Sequence, residues 1–154
     1  MKAWMLCVLV AILCWGSYVP MIHHGAKAFG SINGSFRGFL FVGVAYFLMA
    51  GAILLYLVAS GREPLVMTEK GVTVSTIAGL LGAAGALGVI FAVNRYGGRP
   101  ILVAPLVFAG APIVNTLVSM IWDRPSRAPE WRFYLGVLLA AVGAALVLRF
   151  RPVG

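Results

Sequence analysis

The sequence predicts an all-α integral membrane protein with five transmembrane helices in a single membrane domain. Three observations carry this reading. Of the 154 residues, 62% are hydrophobic and only 10% charged, against roughly 25% charged in soluble domains, and the mean hydropathy is +1.00. Apolar runs long enough to cross a bilayer core recur over about residues 3–22, 38–60, 74–93, 101–122 and 131–148. The formal net charge of +8 comes from Lys and Arg at the ends of these runs or in short loops. That placement marks topology signals and lipid headgroup contacts, not a nucleic-acid surface.

The first run follows Lys2 and is longer than the ~7–15-residue apolar stretch of a signal peptide, with no small-x-small cleavage site directly after it. It is therefore expected to stay as a span. Cys7 and Cys14 both lie inside it, about 10.5 Å apart along a helix, too far for a mutual disulfide. Near its end stands Trp15-Gly16-Ser17-Tyr18-Val19-Pro20. Pro20 lacks an N–H and weakens the helix one turn earlier, so Trp15, Ser17 and Tyr18 are candidates to line a substrate path at a kink. Trp and Tyr also populate the aromatic belts at membrane interfaces, and both readings stay open. His23 and His24 come next, before a Gly/Ser/Asn-rich loop expected over residues 25–37. Neighbouring helical residues point about 100° apart, so the pair does not converge on one metal ion. Either histidine would couple to protons only by facing the path.

The second run is rich in Phe and Tyr, and a polar loop is expected over residues 61–73. In the third run Gly79, Gly82, Gly85 and Gly88 recur every third residue among alanines. Small side chains let another backbone come close, which helices need in lipid because lipid tails offer no hydrophobic drive for association. A turn is expected over residues 94–99, and Pro100 opens the fourth helix, where a missing N–H does no harm. That helix carries Pro105, Phe108, Pro112, Asn115 and Ser119 at spacings of 3, 4, 3 and 4, hence on one face. The interior prolines Pro105 and Pro112 are expected to kink it, and broken helical backbone in a membrane is tolerated where protein or a water-lined cavity takes over. Asn115, Thr116 and Ser119 are therefore candidates for the substrate path, although polar side chains in spans often only bond a neighbouring helix. In the fifth helix Gly136, Ala140 and Ala144 form a second association stripe at four-residue intervals.

Five spans place the termini on opposite sides of the membrane. One side then holds Lys2, Arg62, Lys70, Arg124, Arg127 and Arg132, the other Lys27, Arg37, Arg95, Arg99, Arg149 and Arg151. The positive-inside rule needs an excess on one side, and there is none. An even split is what a chain inserted both ways up would carry, two copies packing antiparallel about an in-plane two-fold axis.

Several of these residues, taken in order, resemble a known family. Trp15-Gly16-Ser17, the glycine–alanine run 79–88, Ala104-Pro105-Leu106, Ala111-Pro112-Ile113-Val114, and Asp123-Arg124-Pro125 with Gly136 and Gly143 behind it carry the likeness. With them the chain resembles one five-helix half of the drug/metabolite transporter superfamily, whose full-length members hold two such halves in inverted repeat. The likeness covers nearly the whole chain. It implies a transporter-like bundle completed by an antiparallel homodimer or a paralogous half, in a bacterial inner (cytoplasmic) membrane. The four-helix small multidrug resistance proteins carry a membrane-embedded Glu that this chain lacks: Glu63, Glu69, Asp123 and Glu130 all fall between the apolar runs.

Without an intramembrane carboxylate, carboxylate-based proton coupling and recognition of a bare organic cation are disfavoured. A small neutral polar or amphipathic metabolite fits the hydroxyl, amide and aromatic groups better. An enzyme is not expected, because no Ser/His/Asp set, paired carboxylates or convergent metal ligands stand in the spans; nor is a cofactor or metal. The alternative to a carrier is a small membrane subunit or assembly factor.

Overall fold

The computed structural model describes residues 2–62, 64–122 and 128–150. Among them the chain is helical with no strand: α1 Ala3–Ala28, α2 Gly34–Ser60, α3 Glu69–Asn94, α4 Pro100–Trp122 and α5 Trp131–Arg149. All five helices are long and apolar enough to cross a membrane, as an integral membrane protein requires. The expected loop at 123–127 with its Asp123-Arg124-Pro125 motif, together with Glu63, Arg151 and Pro152, lies outside the described residues.

The helices exceed the apolar runs at several ends. His23, His24 and Gly25 belong to α1, which continues to Ala28, so the connection to α2 shrinks from the expected 25–37 to five residues, 29–33. Glycine at position 25 reads as a helix end, yet the backbone stays helical because α1 still has a packing partner there. Ala26 is buried where α1 meets Gly34 and Gly38 of α2. The turn itself uses Gly30 at φ 59°, a conformation that costs other residues dearly. The loop after α2 is shorter than expected as well. Thr68 accepts a hydrogen bond from the Gly71 N–H at 3.2 Å, and Glu69 sits in the first turn of α3. A side-chain cap and an acidic first turn both favour starting a helix, which pulls residues 69–73 out of the expected loop. Likewise Asn94 closes α3 and does not begin the turn. α1 runs unbroken through Pro20, and α4 through Pro105 and Pro112.

The chain divides into two compact units, residues 1–97 and 98–154. In the first unit the core sits at one end. Val19 and Ala26 of α1, Gly34 and Gly38 of α2, and Ile90 and Val93 of α3 are its buried residues. Phe36 meets Phe91 edge-on at 5.3 Å, and Phe29 stacks on Phe41 at 5.8 Å. Towards the opposite end the residues of all three helices are exposed apart from half-buried Ser60. The unit is thus clamped where α1 ends, α2 begins and α3 ends, and open elsewhere.

The second unit is the α4–α5 pair. Its half-buried seam on α4 runs through Leu102, Leu106, Ala109, Ile113, Thr116 and Met120, alternating steps of four and three as a helix–helix contact demands. On α5 the matching residues include Val137, Ala140, Ala144 and Val147. Small Ala140 and Ala144 let the two helices approach. No described residue of either helix is fully buried.

Candidate functional site

Between α1 and α2 the clamp opens into a groove of about 1060 Å³, at the upper edge of the 300–1,000 Å³ typical of small-molecule sites. It runs along α1 from Leu13 to Phe29 and along α2 from Gly38 to Met49. Its chemistry falls into two zones. Ser17, Tyr18 and Tyr46 line one stretch of it; from there to Ala28 and Phe29 the lining is Met21, Ile22, Phe41, Val42 and glycine or alanine.

The Tyr18 hydroxyl is buried and has no hydrogen-bond partner among the described residues. Leaving such a group unsatisfied costs about 1–3 kcal/mol, so an orphan hydroxyl beside a cavity marks a place where a further polar group would bind favourably. Trp15 does not line the groove; its ring lies 5.8 Å from that of Tyr18, tilted by 55°, and it backs the tyrosine from the half-exposed side of α1. Two of the sequence-predicted path residues, Ser17 and Tyr18, are thus brought together. Their companion Tyr46 stood in the sequence only as one of many aromatics in the second span. A tyrosine opposite Tyr18 has no signal in spacing, because which α2 residue faces α1 depends on where the hairpin closes.

The histidines part company. His24 is exposed, while His23 is half-buried and makes a 2.7 Å hydrogen bond across helices to Asn94 of α3. In this arrangement Nδ1–H of His23 donates to Asn94 Oδ1, since a carbonyl oxygen can only accept. Asn94 Nδ2 is then buried without a partner. If the amide were turned round, Nδ2 would donate to a lone pair on Nδ1 and Oδ1 would be left over. Either way the bond ties α1 to α3, and neither histidine lines the groove. Sequence reasoning missed Asn94, whose signal was an amide at the very end of an apolar run.

The remaining candidates lie in the second unit. Asn115 and Ser119 are exposed on the outward face of α4 with Pro112, whereas Thr116 and Pro105 are half-buried. Thr116 belongs to the seam, so the fold separates it from Asn115. Of the association stripes, Ala140 and Ala144 pack in the α4–α5 pair, but Gly136 is exposed. A methyl group added at Gly136, Gly79, Gly82, Gly85 or Gly88 would meet nothing within 4 Å. No family model, curated protein or solved structure matches the chain.

Proposed function

We propose that the chain is half of a membrane carrier for a small neutral polar or amphipathic metabolite, working by alternating access as a dimer of five-helix halves. The observation that carries the reading is the orphan Tyr18 hydroxyl beside Ser17 and Tyr46 in a groove of ligand size. Hydroxyl groups exchange hydrogen bonds with a polar solute, and the ring face of Tyr18 suits its apolar side. Asn115 and Ser119, exposed on α4, are kept as candidate solute contacts of the second unit in their own right. The open glycines of α3 are the surface on which a second half, inverted in the membrane, would pack. Membership of the drug/metabolite transporter superfamily and a bacterial inner-membrane location belong to this reading. A small membrane subunit or assembly factor is the second reading, favoured by the same open glycine face, since any partner helix would use it.

The test is uptake by the reconstituted chain from a panel of labelled sugars and neutral metabolites, in wild type and Tyr18→Phe. Removing a buried, unpartnered hydroxyl lifts its desolvation penalty, so Tyr18→Phe should be at least as stable as wild type, by up to about 1–3 kcal/mol, while lowering uptake. Absence of uptake for every solute, or full uptake by Tyr18→Phe, would overturn the site. Reporters on the C-terminus active on opposite sides of the membrane test the dimer: signal from both is the expected result, and signal from one alone removes the antiparallel homodimer.

A further inference from the structure

The α1–α2 groove carries its hydroxyl-bearing residues at the wrong level for a lipid. Ser17 and Tyr18 lie within about 4 Å of the middle of the 26-residue α1, and Tyr46 within about 2 Å of the middle of the 27-residue α2. Lys2 and Lys27 stand at the two ends of α1 and bracket that level. A helix that spans the bilayer has its middle near the midplane, so these three residues sit where water is farthest away. From Tyr18 towards the α1–α2 turn the lining is apolar for about 15 Å, as far as Ala28, and the stacked rings of Phe29 and Phe41 lie on that side. A bilayer lipid has the opposite order, headgroup at the surface and chain at the midplane. Laid in the groove, it would set its polar part beside phenyl rings and its tail beside Ser17, Tyr18 and Tyr46.

Two further observations narrow the occupant. No charged residue is among those that line the groove, and an unpaired charge at the bilayer centre is costly, which selects a neutral molecule. The hydroxyl-bearing residues are confined to one level. A sugar, with hydroxyls all round, would press most of them against residues such as Met21, Ile22 and Val42 with no hydrogen bond to make, which is unfavourable. A molecule with a single polar end leaves none over. We propose that the α1–α2 groove binds a neutral amphiphile, its polar end at the midplane beside Ser17, Tyr18 and Tyr46 and its apolar body laid towards the turn. Met21, Phe41 and Tyr46 line the groove and are exposed, so such a molecule enters sideways from the bilayer. The assignment rests on the reading of this groove as the solute site and narrows the solute to the amphipathic class.

Photolabelling of the full chain in mild detergent tests it, with a diazirine-bearing decanol as probe and peptide mass spectrometry to place the adducts. Saturable adducts are expected at groove residues, well above those at exposed Leu138 and Leu139 of α5, which record plain partition into the micelle. Unlabelled decanol should displace the probe. Decanoate or decyltrimethylammonium should need at least about tenfold more, and glucose should not displace it. Tyr18→Phe should weaken the hold on the probe about fivefold, the worth of one hydrogen bond. A Cβ at Gly25 meets nothing within 4 Å although Gly25 lines the groove, so Gly25→Leu should fill the apolar zone and lower labelling there, with that of α5 unchanged. Circular dichroism of each variant confirms that the helices persist. Groove labelling no higher than at Leu138 and Leu139, equal displacement by the charged chains, displacement by glucose, or full labelling in both variants would each overturn the proposal. The uptake assay separates it from the carrier reading. Sugar uptake without preferential groove labelling sinks the amphiphile and keeps the carrier, whereas preferential labelling without uptake of any solute does the reverse.

Discussion

Gly34 and Gly38 of α2 and the run Gly79, Gly82, Gly85 and Gly88 of α3 belong to one three-helix unit, although the sequence marked only the α3 run as an association stripe and left Gly34 in the loop expected over 25–37. Their surroundings differ. A Cβ built on Gly34 would collide with the backbone carbonyl of Ala26, and one on Gly38 would stand 3.3 Å from Ile22 Cδ1 and 3.5 Å from Ala26 Cβ. The α3 glycines meet nothing within 4 Å. The first pair sets how closely two helices of one chain approach, and the second run offers the same smoothness to something outside it. Spacing says that a helix face is smooth; only the connection decides whether a neighbour lies on it. The short turn at 29–33 brings α2 back against α1 at once, so Gly34 and Gly38 are committed to the hairpin.

Gly34→Ala is the sharpest way to break this contrast. The obstacle is backbone, which cannot rotate aside, so overpacking should cost about 1–3 kcal/mol, read as a lowered midpoint of reversible unfolding in mixed micelles. A midpoint equal to wild type would mean that α1 and α2 are not clamped at Ala26.

How much was legible follows from the same contrast. The five spans were readable because crossing a bilayer needs about 20 apolar residues whatever surrounds them. Helix ends were not: Gly25 and Glu69 look like loop residues, but Ala26 packing and the Thr68 cap carry the helices past them. Ser17 and Tyr18 were found because a proline two or three residues later drew attention to them. Tyr46, Asn94 and Gly34 were missed, since each matters through a partner on another helix. Spans that are apolar nearly all round show no stripe to say which way they turn, and the separation of Thr116 from Asn115 on α4 has the same origin.

The clamped end offers a second, smaller test. His23→Ala removes the hydrogen bond that ties Asn94 to α1 and leaves both polar atoms of a half-buried amide unmatched, a loss of about 1 kcal/mol. Asn94→Leu also breaks the bond, but it deletes the orphan Nδ2, so it should cost less than His23→Ala. The double variant should then fall near Asn94→Leu alone. Two equal single losses that simply add would show that the two side chains are not coupled, and the clamp would rest on Val19, Ile90 and Val93 by packing alone.

The least effect is expected where the sequence drew most attention. Gly82→Ala adds a methyl group to open space, so the stability of the isolated chain should move by no more than about 0.5 kcal/mol, in contrast to Gly34→Ala. The informative readout is association. If a second copy packs on this run, Gly82→Leu should reduce cross-linking between chains in the membrane while the unfolding midpoint of the single chain stays put. Should Gly82→Ala lower that midpoint as Gly34→Ala does, the α3 face is already covered within one chain and the two sets of glycines do the same work. Should Gly82→Leu change neither quantity, the run faces lipid, and the surface that completes the bundle must be sought on the outward face of α4, where Asn115 and Ser119 stand exposed.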